Sequence, residues 1–402
     1  MRILQVNAFH YLRGGVERTV FDETRWLEAR GHTVGHFASR HPRNLPCPES
    51  DYFPPAADVG EGAPLGRQLG HLPRAVYSVP ARRAMTRLLE SFRPDIVHAH
   101  APSRYLTMSW LRACERARVP VVMTLHDFKR YCTNRLLFAH GAVCERCRGG
   151  RHVNAFLTAC VQGSRAKSAM GTVEAYVHQW SDAYRGIARY VAPSVFVERM
   201  AESFGIPQAE VRVIFHGVEP RAIGAPPTSE RYVFYVGRLS EEKGVRLLPA
   251  LARALAPVPV VVAGEGPLRA WLEGEAGTAP ILRLLGYAEE NAVSSWLGPA
   301  AVVVVPSLFY EHFGYVAAEA LLAARPVVAS TIGALPELVR HERTGLLVPP
   351  GDAGALAQGV RRALDDPAAA AWGERGRSEL GPQVTPARHV EALEALYREV
   401  IG

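Results

Sequence analysis

Four charged side chains stand just past apolar, strand-length runs in the second half of the chain. The run Ala301–Pro306 leads into Ser307-Leu308-Phe309-Tyr310-Glu311-His312-Phe313-Gly314, and a helical stretch from Gly314 carries Glu319. Ionised carboxylates accept charge-assisted hydrogen bonds from hydroxyls, so two of them at one strand–helix junction suit a polyhydroxylated ligand. Glu319 is flanked by Ala317, Ala318, Ala320 and Leu321, an apolar setting in which a carboxylate needs a partner. Taken alone, two glutamates eight residues apart also arise by chance. Upstream, Gly237-Arg238-Leu239-Ser240-Glu241-Glu242-Lys243-Gly244 follows the strand Tyr232–Val236, with Lys243 opening the next helix. Two cations beside helix-terminal amides form a clamp for a diphosphate. The competing reading pairs Arg238 or Lys243 with Glu241 or Glu242 in exposed ion pairs.

Three glycine turns also follow strands: Gly14-Gly15, Gly264-Glu265-Gly266 and Gly333-Ala334-Leu335-Pro336-Glu337. Glycine lets backbone amides approach an anion closely. None of the three matches the G-x-G-x-x-G or G-x-x-x-x-G-K-[ST] patterns, which counts against dehydrogenases and ATPases. His126, in Val122-Met123-Thr124-Leu125-His126-Asp127, stands at another strand's carboxyl end; a lone histidine there is more often structural than catalytic. The shared placement of all these residues at strand ends is what sets them apart from chance.

Cys132, Cys144, Cys147 and Cys160 follow the pattern C-x11-C-x2-C-x12-C, with Cys47 and Cys114 outside it. Four thiols with a C-x-x-C pair favour structural zinc over disulfides in a reducing compartment. Unligated buried thiols and a redox pair are the alternatives. Arg130, Arg135, Arg146, Arg148 and Arg151 surround these cysteines, so the insert is expected to face an anionic acceptor or membrane surface. A zinc ribbon for nucleic acid would interleave aromatic residues with the basic ones for base stacking; this insert lacks that interleaving, and no nucleic-acid partner is expected.

The elements that must position these residues alternate between strand and helix. Strands are expected at Ile3–Asn7, Thr33–Ala38, Asp95–Ala99 and Pro120–Leu125, and helices at Glu17–Arg30, Ala81–Ser91, Tyr105–Ala117, 164–187 and 194–204. Residues 41–80 read as a long Pro- and Gly-rich loop, and 130–163 as an irregular insert. After Gly205-Ile206-Pro207 the alternation restarts, with a strand expected at Val211–Phe215, a linker at Pro220–Glu230 and a new first strand at Tyr232–Val236, and then becomes regular, with a helix near 243–256. Such succession indicates parallel βαβ units, here α/β with two doubly wound sheets facing a cleft, and ligands bind beyond the carboxyl ends of such strands. The expected domains are 1–206, carrying the insert, and 207–385, with the helix within 386–402 a candidate to pack back on the first.

The 402 residues are 48% hydrophobic and 21% charged, as in ordinary globular proteins, which excludes disordered, fibrous and disulfide-miniprotein classes. No apolar run reaches membrane-spanning length. The chain enters its first strand directly from Met1, and the expected location is cytoplasmic, peripheral at the inner face of the membrane. The net charge of +7 is uneven: residues 1–200 carry 28 Lys+Arg against 16 Asp+Glu, the remainder 18 against 23. A basic half fits a phosphorylated or membrane-surface partner, and equally a merely solvated face.

Glu311-x7-Glu319 with Phe313-Gly314, Gly237-Arg238-Leu239 with Glu242-Lys243-Gly244, Gly333-Ala334-Leu335-Pro336-Glu337 and Thr344-Gly345-Leu346-Leu347-Val348 together resemble the retaining glycosyltransferases of family 4, which have the GT-B fold. Arg13-Gly14-Gly15-Val16-Glu17 resembles that family's N-terminal glycine loop and Leu125-His126-Asp127 its cleft histidine, so the resemblance spans the chain. The cysteine insert is similar to that of relatives in exopolysaccharide and cell-surface glycan assembly.

The resemblance implies a nucleotide-diphosphosugar donor and a glycan or lipid-linked acceptor. It implies that Arg238 and Lys243 neutralise the diphosphate, Glu319 accepts from the ribose hydroxyls, and Glu311 contacts the sugar. The backbone near Gly14 and Gly15 would close over the phosphates, and His126 would lie near the reacting sugar. Gly237, Gly264, Gly266, Phe313, Gly314 and Glu337 complete the implied donor site. No catalytic cofactor is implied, since Arg and Lys take a metal's place. His312 stands where the family often has Pro, which implies a less rigid Glu311 loop. A small natural-product acceptor and a non-catalytic sugar-nucleotide-binding role are the alternatives.

Overall fold

The computed structural model describes residues 1–56, 76–102, 105–220, 228–279 and 281–402. Residues 57–75 of the expected 41–80 loop and 221–227 of the 220–230 linker lie outside the described residues. The chain divides into two compact units. Met1–Leu137, Glu145–His216 and His389–Gly402 form the first; Phe138–Cys144 and Gly217–Arg388 form the second.

In chain order the first stretch gives β1 (Arg2–Val6), α1 (Gly15–Ala29), β2 (Thr33–Phe37), α2 (Val79–Phe92), β3 (Ile96–Ala99), α3 (Leu111–Ala117) and β4 (Val121–Thr124). A two-stranded antiparallel hairpin follows, β5 (Phe138–Ala139) with β6 (Ala142–Val143), then α4 (Val153–Thr158) and α5 (Arg165–Trp180). β7 (Arg189–Ala192), α6 (Val195–Ser203) and β8 (Val211–Val213) complete the first sheet. Its order is β2-β1-β3-β4-β7-β8, parallel throughout.

β8 pairs with β7, so the strand after Pro207 closes the first sheet rather than opening the second, and the first unit runs to His216. The helix expected over Tyr105–Ala117 is only its second half. Thr107 takes a left-handed φ of 55° and its hydroxyl caps local turns, which delays the helix to Leu111.

The second unit contains β9 (Val233–Val236), α7 (Leu248–Leu255), β10 (Val260–Ala263), α8 (Arg269–Thr278), β11 (Leu282–Gly286), α9 (Glu290–Leu297) and β12 (Val302–Val305). It continues with α10 (Tyr315–Leu322), β13 (Val327–Ser330), α11 (Leu335–Leu338), β14 (Gly345–Val348), α12 (Ala353–Asp365) and α13 (Ala369–Leu380). The parallel order is β11-β10-β9-β12-β13-β14. β10 and β12 are buried at every residue, on both faces of the sheet, which is why they read as nearly continuous valine runs. Asp352 caps α12, its Oδ1 accepting from the Ala355 N–H at 2.8 Å.

α14 (Pro386–Ile401) belongs to the first unit from His389 onward. Its Val390, Leu393, Leu396 and Tyr397 pack with Ile3, Leu27, Ile96, Val122 and Ile214 in one buried cluster. Four side chains at helical spacing explain the docking: burial of each contributes roughly 1.5–3 kcal/mol. Arg30 and His32 then fix the helix through Glu394, at 2.8 and 2.7 Å.

Candidate functional site

In the second unit the loops past β9, β10, β12 and β13 are laced by backbone contacts. The Leu239 N–H donates to the Glu265 carbonyl at 2.8 Å, the Leu308 N–H to the Glu242 carbonyl at 2.8 Å, and the Ala334 N–H to the Glu311 carbonyl at 2.9 Å. Two glycines make this approach possible. Gly264 has φ 145°, and a Cβ there would lie 1.9 Å from the Gly237 carbonyl oxygen. Gly244 has φ 72°, and a Cβ there would lie 1.9 Å from the Pro306 carbonyl oxygen. Gly237, Gly264, Gly266, Gly314 and Gly333 all lie in these strand-end loops, with Gly314 at the N-cap of α10.

The side chains converge on Glu311. Its Oε1 accepts from the Lys243 ammonium at 2.7 Å and from the Ser307 hydroxyl at 2.6 Å. The Lys243 ammonium also sits 4.7 Å from the centre of the Phe309 ring. Lys243 is therefore paired across the loops, with neither Glu241 nor Glu242. Glu241 faces Arg246 at 3.9 Å, and Glu242 accepts from the Ser240 hydroxyl at 2.6 Å. Arg238 is exposed, and no carboxylate among the described residues pairs with its guanidinium. Its carbonyl accepts from the Tyr235 hydroxyl at 3.1 Å. Burial first, then the carboxylates of Glu311 and Glu242, push the Tyr235 phenol up, so it stays protonated and donating.

Glu319 is buried in the second turn of α10, and Glu337 is half-buried in the first turn of α11. Phe313 is buried, its ring 5.2 Å from that of Tyr315. An ammonium held against the buried Glu311 carboxylate, with an exposed guanidinium on the same loop, can bind an anion and orient hydroxyls.

Gly14, Gly15 and His126 belong to the first unit. Gly14 is the N-cap of α1 and Gly15 its first residue, on an exposed turn. His126 follows β4, its Nε2 3.0 Å from His100 Nδ1 and its ring stacked on His216 at 5.2 Å. Burial lowers His126 to about 4, so the imidazole is neutral near pH 7.

Behind His126 lies a buried cluster that sequence reasoning missed. Glu23 Oε1 accepts from His389 Nε2 at 3.0 Å, and Glu23 Oε2 lies 3.5 Å from His98 Nδ1 and 3.6 Å from His100 Nε2. The signal was the pair His98 and His100, two apart at a strand end and so on one face; Glu23 is recruited from α1 and His389 from α14. Glu23, His98 and His100 bring three donor atoms within 4.8 Å of one another. His98 already spends both nitrogens, on Thr124 and Tyr397 at 2.7 Å each, whereas Glu23 Oε2 and His100 Nε2 are buried without a hydrogen-bond partner among the described residues.

In the insert Cys132 and Cys147 are buried, and no disulfide joins cysteines among the described residues. Burial, together with the nearby Cys147 and Cys160, pushes the Cys132 thiol up to about 12, and its sulfur contacts Asn134 Oδ1 at 2.9 Å. Cys144 lies in the hairpin segment grouped with the second unit.

Two family models match the chain: Glycosyltransferase Family 4 over residues 13–222 and Glycosyl transferases group 1 over residues 230–366. Among curated proteins, the chain is 31% identical over 405 residues to a glycogen synthase of Mycobacterium tuberculosis, covering 92% of this chain and 87% of the relative. It is 28% identical to a D-inositol 3-phosphate glycosyltransferase of Thermobispora bispora, covering 96% and 92%. Among solved structures it is similar to a sucrose-phosphate synthase from Thermosynechococcus elongatus, with TM-score 0.72, 23% identity and 99% and 98% coverage. The Anabaena protein HepE in complex with UDP-glucose matches with TM-score 0.69, 18% identity and 99% and 100% coverage. With both sheets parallel and both halves matched, the chain belongs to the group 1, family 4 glycosyltransferases and has the GT-B fold.

Proposed function

We propose that this glycosyltransferase is a retaining, metal-independent enzyme that moves a sugar from a nucleotide-diphosphosugar to a glycan or lipid-linked acceptor in surface polysaccharide synthesis. It works in the cytoplasm, at the inner face of the membrane. The observation that carries the reading is the Lys243–Glu311 contact at 2.7 Å, with the exposed Arg238 on the same strand-end loop as Lys243. The relatives are consistent with it: HepE is described with UDP-glucose, and one relative is a phosphatidyl-myo-inositol mannosyltransferase.

In this mechanism the bond from the anomeric carbon to the donor phosphate oxygen breaks, and the acceptor oxygen bonds to the same face. The acceptor proton passes to the departing phosphate. Negative charge gathers on the diphosphate as the bond breaks, and Arg238 and Lys243 stabilise it without reorganising. Glu311 holds sugar hydroxyls and Glu319 the ribose. His126 and the Gly14–Gly15 turn are proposed to keep the roles that the family resemblance implies, toward the sugar and the phosphates respectively.

The insert is proposed to hold structural zinc. The Cys132 thiol senses the charge of both Cys147 and Cys160, and a zinc ion would hold these cysteines as thiolates, with Cys144 the fourth donor expected from sequence.

A thermal-shift screen of nucleotide-sugars identifies the donor, because a ligand bound only by the folded state raises the melting point. Transfer or slow hydrolysis of that donor, radiolabelled, is then expected. Binding with neither reaction would leave the non-catalytic role.

A further inference from the structure

Helix α5 is turned inside out. Its buried residues are Ser168, Thr172 and His178, all polar. Its apolar residues Ala166, Met170, Val173, Val177 and Trp180 recur at alternating spacings of four and three on the other side, and Trp180 is 77% exposed. The stripe continues onto α4. Trp180 stacks on Tyr176 at 5.4 Å, the Tyr176 hydroxyl accepts from the Val153 N–H at 3.2 Å, and Val153, Phe156 and Leu157 are exposed, Leu157 by 65%. A contiguous exposed apolar patch of this kind marks a contact surface.

Charge selects the partner. Between Arg146 and Trp180 the chain carries five cations and one carboxylate, Glu174, which is bound to Lys129 at 2.7 Å and largely buried. Arg146, Arg151 and Arg165 are exposed, and no carboxylate among the described residues pairs with them. A second copy docked about a two-fold axis would set these cations against themselves. An anionic bilayer satisfies both features, since apolar side chains enter the acyl boundary while arginines meet headgroup phosphates.

We infer that the α4–α5 face is a docking surface for an anionic lipid bilayer, with Leu157 and Trp180 inserted and Arg146, Arg151 and Arg165 on the headgroups. The inference deepens the proposed membrane-side acceptor and is tested apart from it, because docking needs no donor. Full-length protein is sedimented with phosphatidylcholine vesicles, with and without phosphatidylglycerol. Two variants are compared, Leu157→Ser/Trp180→Ser and Arg146→Glu/Arg151→Glu, all at solvent-exposed positions.

The wild type pellets with the mixed vesicles only, and added salt releases it. Each double variant lowers the partition coefficient about tenfold or more, while the thermal shift given by the nucleotide-sugar donor is unchanged. Failure to pellet with anionic vesicles overturns the inference, as does equal pelleting of wild type and both variants. Dimerisation in solution that Trp180→Ser abolishes overturns it in favour of a contact between copies. Vesicle binding by a protein that transfers no sugar supports the docking surface and counts against the acceptor reading alone.

Discussion

Lys243 and Glu311 form the contact on which the proposed donor site rests, and a double-mutant cycle measures how firmly it is held before any ligand arrives. At 2.7 Å, with side chains 30% and 10% exposed, the pair sits at the edge of solvent. Coulomb attraction at an effective dielectric of about 20 is about 6 kcal/mol, and desolvation of both groups offsets most of it. Lys243→Ala leaves the carboxylate with the Ser307 hydroxyl and is expected to cost about 2 kcal/mol, below the loss for a fully buried pair. Glu311→Gln keeps an acceptor for both donors and is expected to cost about 1 kcal/mol. The coupling energy, from urea unfolding of all four proteins, is expected near 1–2 kcal/mol. Additivity within about 0.5 kcal/mol would show an ordinary surface pair and refute the claim that Glu311 positions the ammonium.

Gly244→Ala places a Cβ 1.9 Å from the Pro306 oxygen at a φ of 72°, so the strand-end loops must part by more than an ångström. The left-handed cost and the clash together predict a loss of about 3 kcal/mol or more, read by urea unfolding. Glu394 tests the seat of α14. Burial acts to raise its pKa, but hydrogen bonds from Arg30 and His32 outweigh it and bring the group to about 2. A carboxylate depressed on folding contributes stability above its unfolded pKa of about 4.3, lost as pH falls through the folded value. Glu394→Gln should therefore destabilise at neutral pH by up to roughly 3 kcal/mol. The gap to wild type should close as pH falls from about 4 to about 2; a gap independent of pH would contradict the assignment. Metal analysis of anaerobically purified protein is expected to find about one zinc per chain, lost when Cys147 is changed to Ser; an empty reading removes the metal.

Parallel strands are buried on both faces, so runs such as Val302–Val305 announce themselves, and the loops at their ends carried nearly all the candidate residues. What escaped notice did so for physical reasons. β7 is only Arg189–Ala192, with a charged first residue, too short for a periodic signal. β8 follows a Gly-Ile-Pro break that looks like a domain boundary, yet pairing with β7 decides its sheet. The helix expected from 243 starts at Leu248, because the left-handed Gly244 splits its first turns into two 3-10 segments. Sequence left the partner of Lys243 open among Glu241 and Glu242; the structure chooses Glu311, 68 residues away. Contacts at such separation, like that of Glu23 with His389, 366 residues apart, have no local trace.

Calorimetric titration of the nucleotide-sugar found by thermal shift into wild type, Arg238→Ala and Glu319→Ala tests the account most directly. Arg238 is exposed, so its replacement leaves the fold intact while removing one diphosphate cation, and affinity should fall about tenfold or more. Glu319→Ala should weaken the donor and its nucleoside diphosphate alike, as loss of a ribose contact requires. Wild-type affinity in both variants, with the donor still bound, would place the diphosphate and ribose elsewhere and contradict the assignment of the second unit as the donor site.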